Sequence, residues 1–261
     1  MTTREQTVAR PAGAVPAQAL VVYGIVRAGL PPEGLPEGIG EAPVRIVAHA
    51  GLGALVSGVE GPEVRATRRD LMSHSRVLEG ALASGPVLPL RFGTVLSGEE
   101  GVAELLEARR DELTALLARF ESKVELRVKG FYLEEELLRE IVQGDPSIAR
   151  LREATRGLPE AAGYGGRVQL GEAVARAIEG MRARDAGAIV EHLRELADDV
   201  ALDREAREGV AVAASFLVDR SRVAAFDERM DELARRHEGR IRFKYLGPLP
   251  PHSFVSFGEV A

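Results

Sequence analysis

The sequence predicts an α+β protein with antiparallel sheets, divided into two domains. Strand-like and helix-like segments intermingle without the regular spacing of βαβ units, which argues against a doubly wound parallel sheet. Two segments, VELRVK at 124–129 and RIRFKY at 240–245, alternate apolar and charged residues, the signature of strands with one wet face. A hydrophobic content of 45% supports real cores, and with aromatics at 5% and no tryptophan those cores must be filled by Leu, Val, Ile and Ala.

Taken in order, residues 1–17 hold two prolines and no long apolar core, so a loose arm is expected there and not a signal peptide. The first domain is placed at 18–121. Its opening phrase ALVVYGIV (19–26) is apolar at both parities, as in a central strand covered on both faces. Pro31, Pro32, Pro36 and Pro43, among glycines, make the next stretch a loop. Strands at 44–48 and 52–59 are joined by a tight turn at Ala50-Gly51. A helix over 64–83, striped by Leu71, Leu78 and Leu82, is stopped by Pro86, and 87–92 forms another strand. Ser97 and Glu100 have the spacing of a capping box. They open a helix whose Val102, Leu105, Leu106, Leu113, Leu116, Leu117 and Phe120 share one face.

The second domain, 122–246, starts with the strand at 124–129, then a short helix at 134–142 and another begun by Pro146. The glycines at 163–166 mark a break before a long helix. Its stripe runs through Leu170, Val174, Ile178, Met181, Ile189, Leu193, Leu196 and Val200, with a weak point at Asp185 and Gly187. The apolar run 210–218 is a strand, Val223, Phe226, Met230 and Leu233 stripe a helix, and 241–245 is the last strand. A ferredoxin-like arrangement, a helix-backed sheet with one open face, accommodates these elements. The tail 247–261 (GPLPPHSFVSFG and three further residues) is too proline-rich for a helix and too apolar for a free segment, so it should be docked.

The chemistry is mostly one of exclusions. A net charge of −6 gives no footprint for nucleic acid. The absence of cysteine excludes disulfides, thiolate metal sites and cysteine nucleophiles. No apolar run approaches the ~20 residues that span a bilayer, so a cytoplasmic protein is expected. His49, His74, His192, His237 and His252 lack the spacing of a zinc motif. His74 follows Asp70 by one turn, either as a catalytic dyad or as a partly buried histidine satisfied by a carboxylate. The glycine-rich GYGGRVQLGEAVA precedes a helix, where free N–H groups bind phosphate, but it lacks the lysine and hydroxyl of a P-loop and also reads as a helix boundary. Glu134 to Glu136 and Asp198-Asp199 read as solvated helix surface. No catalytic residue, metal or cofactor is assigned.

Two features point to partners. If the first and last strands of the second domain are neighbours, Arg127, Lys129, Arg240, Arg242 and Lys244 gather on one face of an acidic chain. Such a patch suits docking of an acidic partner, or simply keeps sheet edges from aggregating; it offers no aromatic for stacking RNA bases. In LPLRFGT, Arg91 lies at an apolar strand end and is expected to pair with a carboxylate or donate to backbone carbonyls. Gly93 there permits a positive φ.

The phrases VYGIV, VLPLRFGTV, KVELRVKGFY, VQLGEAVARAI, AASFLVDR followed by Phe226-Asp227, and YLGPLPPHSFV occur in order from about residue 19 to 255. On these the chain resembles the gas vesicle protein L/F family. The resemblance implies an N-terminal ferredoxin-like α/β domain and a C-terminal α+β domain with a tail. It also implies a non-enzymatic accessory or minor structural protein that is gas vesicle associated. Such a protein binds the small hydrophobic shell protein, and other accessory proteins, during nucleation or assembly. The expected contacts are Leu90, Arg91 and Phe92, the basic face, and Leu249, Pro250, Phe254 and Phe257 of the tail, unless the tail seals the seam between the domains. The alternative is a ferredoxin-like regulatory module binding a small molecule.

Overall fold

A computed structural model describes residues 19–29, 34–203 and 209–256; the arm at 1–17 and Phe257 lie outside them. The chain forms two compact units, one ending at Leu117 and the other starting at Ala118. Each is built on its own antiparallel sheet.

In the first unit β1 (Ala19–Arg27) is buried from Leu20 to Val26. It lies between β3 (Leu52–Gly58) and the short β4 (Leu88–Pro89) and β5 (Val95–Ser97), with β2 (Arg45–His49) outside β3. Central placement is the reason β1 is apolar at both parities. Gly24 permits this packing: a Cβ there would lie 2.7 Å from the Leu88 carbonyl oxygen. The β2–β3 turn uses Ala50 (φ 51) and Gly51 (φ 85), both left-handed, as a two-residue hairpin requires.

Three expectations are revised here. The strand at 87–92 shrinks to β4, because the chain turns at Gly93 (φ 83) and returns as β5 to pair with β1. The helix α1 (Arg68–Ser84) starts where Thr67 caps it, accepting from the Asp70 N–H, and not at Val64. The helix expected from Ser97 to Phe120 breaks at Arg109 (φ −122, ψ 20) into α2 (Gly98–Ala108) and α3 (Arg110–Arg119), and the Ser97 side chain makes no capping hydrogen bond.

The second unit runs β6 (Lys123–Tyr132), α4 (Glu134–Gly144), α5 (Pro146–Thr155), α6 (Glu160–Arg194), β7 (Asp199–Leu202), β8 (Val210–Asp219), α7 (Val223–Arg236) and β9 (Ile241–Leu249). The strands lie in the order β7-β8-β6-β9, so the first and last strands of the unit do pair. The apolar run of β8 is buried along its length. Its Phe216 ring meets Phe226 of α7 at 5.3 Å, which places the helices on that face of the sheet. Asp199 begins strand β7 and is not helical surface. The glycines at 163–166 lie inside α6 and do not precede it. Gly166 is there for close packing, since a Cβ would lie 2.6 Å from the Thr155 methyl of α5. Finally, β9 absorbs the first tail residues as far as Leu249.

Candidate functional site

Register decides which charges meet. Lys129 lies opposite Ala213 and Lys244, Arg127 opposite Ser215 and Leu246, and Phe131 opposite Arg242. Directly opposed residues point to the same side, so Arg127, Lys129, Arg242 and Lys244 share a face. Arg240 does not join them. It precedes β9, and its guanidinium donates to both carboxylate oxygens of Glu140 on α4 (2.7 and 3.2 Å) and to Asp185 on α6 (2.7 Å). These acceptors push its pKa further above the usual arginine range. Asp185 also accepts the Tyr132 hydroxyl at 2.6 Å, and burial together with this bond raises the phenol's pKa. Arg240 is thus a pin between helices and sheet, which strand parity could not reveal. Of the remaining four cations, Arg127 donates to Glu125 at 2.6 Å and Lys129 lies 3.9 Å from Asp203. Arg242 and Lys244 are exposed and make no ion pair among the described residues.

Beside these charges lies an open groove of about 340 Å³. Ala201, Ala213 and Ser215 line it on the face that carries Arg127 and Lys129, with Asp203 and Ser253 alongside. Glu125, bonded to three of the lining residues, is fully buried although sequence alternation placed it on a wet face. Its carboxylate accepts from Arg127 Nε, Ser215 Oγ (3.0 Å), Ser253 N–H (2.7 Å) and Ser253 Oγ (2.8 Å). Ser253 belongs to the tail, so the segment after β9 is clasped onto β6. Pro250 is buried there and is not a surface contact; Leu249 and Phe254 are half-buried. His252 has its pKa lowered, first by burial and then by the nearby Arg127. Sequence reading missed Glu125, Ser215 and Ser253 as a cluster. The available signal was a serine inside the otherwise apolar β8.

The LPLRFGT contacts are revised too. Leu90 is buried, its N–H donating to the Tyr23 carbonyl at 2.9 Å. Phe92 is half-buried, 5.5 Å from the His74 ring. Arg91 is exposed, with no ion pair among the described residues. Its carbonyl is what is engaged, accepting from the Thr94 hydroxyl and N–H. His74 is buried between Tyr23 (5.3 Å) and Phe92, while Asp70 accepts from the Thr67 hydroxyl at 2.6 Å. The observed contacts of His74 are ring packing, and those of Asp70 are the cap of α1.

A second surface was not foreseen. Leu170 and Val174, expected in the core stripe of α6, instead line a groove of about 540 Å³ with Leu138, Val142 and Ile148. Glu135, Arg139 and Arg152 complete its lining. Leu138 remains 42% exposed, and Val168 44%, so apolar surface continues beyond the groove. The cause is geometric: α6 is 35 residues long, and the first of its stripe residues to be buried is Met181. Among the described residues no group of acids and histidines could hold a metal ion, and no helix is long and apolar enough to cross a membrane.

Comparison with known proteins adds to this geometry. The family described as "Gas vesicle synthesis protein GvpL/GvpF" matches residues 19–256. Gas vesicle protein F of Streptomyces sp. (strain CB03234) is 40% identical over 243 residues, covering 90% of this chain and 98% of that protein. Gas vesicle protein F of Nostoc sp. (strain PCC 7120 / SAG 25.82 / UTEX 2576) is 24% identical over 239 residues, with 90% and 97% covered. The crystal structure of GvpF from Anabaena sp. PCC7120 superposes with a TM-score of 0.79 at 23% identity, covering 93% of this chain and 100% of that one. That of Microcystis aeruginosa gives 0.76 at 23% identity, with 92% and 99% covered. Both have the same fold of mixed helices and two antiparallel sheets.

Proposed function

This chain belongs to the gas vesicle synthesis protein GvpL/GvpF family, whose role is in gas vesicle formation, and we propose that its own part is to hold the small apolar shell protein and assist its nucleation or assembly. It works by presenting surface at the vesicle and performs no chemistry on a substrate. We read both units as ferredoxin-like variants. The second unit has the strand–helix–strand–strand–helix–strand order, and in the first no α-helix stands between β1 and β2 among the described residues.

The observation that carries this reading is the apolar groove on α4, α5 and α6. A shell subunit must keep a water-repelling surface, and before assembly that surface aggregates unless covered. Leu138, Leu170 and Val174 are aliphatic side chains left partly in water. Completing their burial against a client contributes about 2–4 kcal/mol, or roughly 30- to 1,000-fold in affinity. The basic sheet face would orient the client by charge.

Purified shell protein offered to the full chain and to a Leu138→Asp/Leu170→Asp variant tests the assignment. Capture is expected to be lost in the variant while its melting curve is kept. Undiminished capture by the folded variant would remove the groove from the account.

A further inference from the structure

The sheet of the second unit ends at β9, whose outer backbone row pairs with no strand among the described residues. We propose that this edge accepts an extended acidic segment of another polypeptide as an added antiparallel strand. The proposal does not rest on the helix groove, which lies among α4, α5 and α6.

Three observations support it. First, the edge is long and prepared. β9 spans nine residues, against four for β7 at the opposite edge. Its helix-facing side is anchored, with the Tyr245 hydroxyl donating to Asp227 of α7 at 2.6 Å and the Tyr245 ring stacked 6.0 Å from Phe226. A strand already held in place loses little freedom when another pairs with it.

Second, the exposed side chains select the partner. Arg242, Lys244 and Leu246 alternate on the other side of β9, all exposed, with Lys129 directly across from Lys244. Lys129 has Asp203 at 3.9 Å, whereas Lys244 and Arg242 make no ion pair among the described residues, and acidic side chains on an added strand would supply their counter-charges. An antiparallel partner is therefore read, from its N-terminus, as apolar, any, acidic, any, acidic, opposite Leu246, Lys244 and Arg242 in turn.

Third, the edge discriminates against itself. Two β9 edges placed antiparallel bring Arg242 and Lys244 of one copy against the same cations of the other, a like-charge arrangement that natural edges use to prevent self-pairing. Pro248 carries no N–H, so the donor row ends before it and the docking window closes at Gly247.

The test uses the full chain and two synthetic peptides of alternating threonine, one with leucine and two glutamates in the stated pattern, the other with lysines replacing the glutamates. Fluorescence anisotropy should show the glutamate peptide binding at least about tenfold tighter, with the preference shrinking from about 50 to 500 mM salt. Hydrogen exchange should slow along 242–247 in the bound chain. Arg242→Glu/Lys244→Glu should reverse the preference, and Lys244→Gln should weaken it about threefold with an unchanged melting curve. Equal binding of the two peptides would overturn the proposal. So would protection elsewhere on the chain, or sedimentation showing that a second copy occupies the edge.

Discussion

Replacing Ser253 with alanine tests the clasp between the tail and β6. Glu125 is fully buried, and its carboxylate is satisfied by four donors, two of them from Ser253. Alanine keeps the backbone N–H at 2.7 Å and removes only the hydroxyl at 2.8 Å. A hydrogen bond to a charged acceptor contributes about 1.5–3 kcal/mol, and partial exposure brings this site to about 1–2 kcal/mol. For a unit of this size that lowers the melting temperature by about 3–8 °C. Glu125→Ala is more severe. It strands Arg127, Ser215 and the Ser253 N–H together, at about 3–5 kcal/mol. Calorimetry of both variants and the double variant gives the coupling, expected to exceed about 0.5 kcal/mol because the two side chains touch. Hydrogen exchange over 250–256 should accelerate in each. Additive single effects, with tail protection unchanged, would refute the clasp.

Other perturbations probe other joints. Gly24→Ala forces a methyl onto the Leu88 carbonyl at 2.7 Å, and should destabilise the first unit by about 1–3 kcal/mol in urea titrations. Arg240→Lys cannot reproduce the fork onto Glu140 and Asp185, and should lose about 1–2 kcal/mol in the second unit. His237 and His252 both have pKa values lowered by burial, then by Arg240 and Arg127 respectively. The unfolded chain therefore binds protons more readily, so the stability they contribute is complete above about pH 6.5 and is lost as pH falls through their folded values. The urea midpoint should drop on acidification, and less steeply in His237→Gln/His252→Gln.

Much of the architecture was legible because periodicity reports burial directly. The apolar run of β1 and the alternation of β6 each announced a strand. What alternation cannot report is where a strand begins, and Arg240, one residue outside β9, turned to Glu140 and Asp185 instead of joining Lys244. Nor can it report what lies over a face. Glu125 has the parity of a solvated residue, yet it is buried and hydrogen-bonded by a tail residue 128 positions away in sequence. Helical period misled in a third way: Leu170 and Val174 have a core stripe's spacing, but α6 extends beyond the packing that buries Met181. The glycines of α6 likewise looked like a boundary, because the close approach of Thr155 is a tertiary fact.

The pairing of β6 with β9 orders events during synthesis. The strands described in the first unit are complete by Ser97, and it can close while translation continues. In the second, β6 leaves the ribosome early yet has one flank bare until residues 241–249 follow it out. For the time it takes to make more than a hundred residues, that flank is a nascent chain's open edge, and whatever shields it then guards the yield of the finished protein.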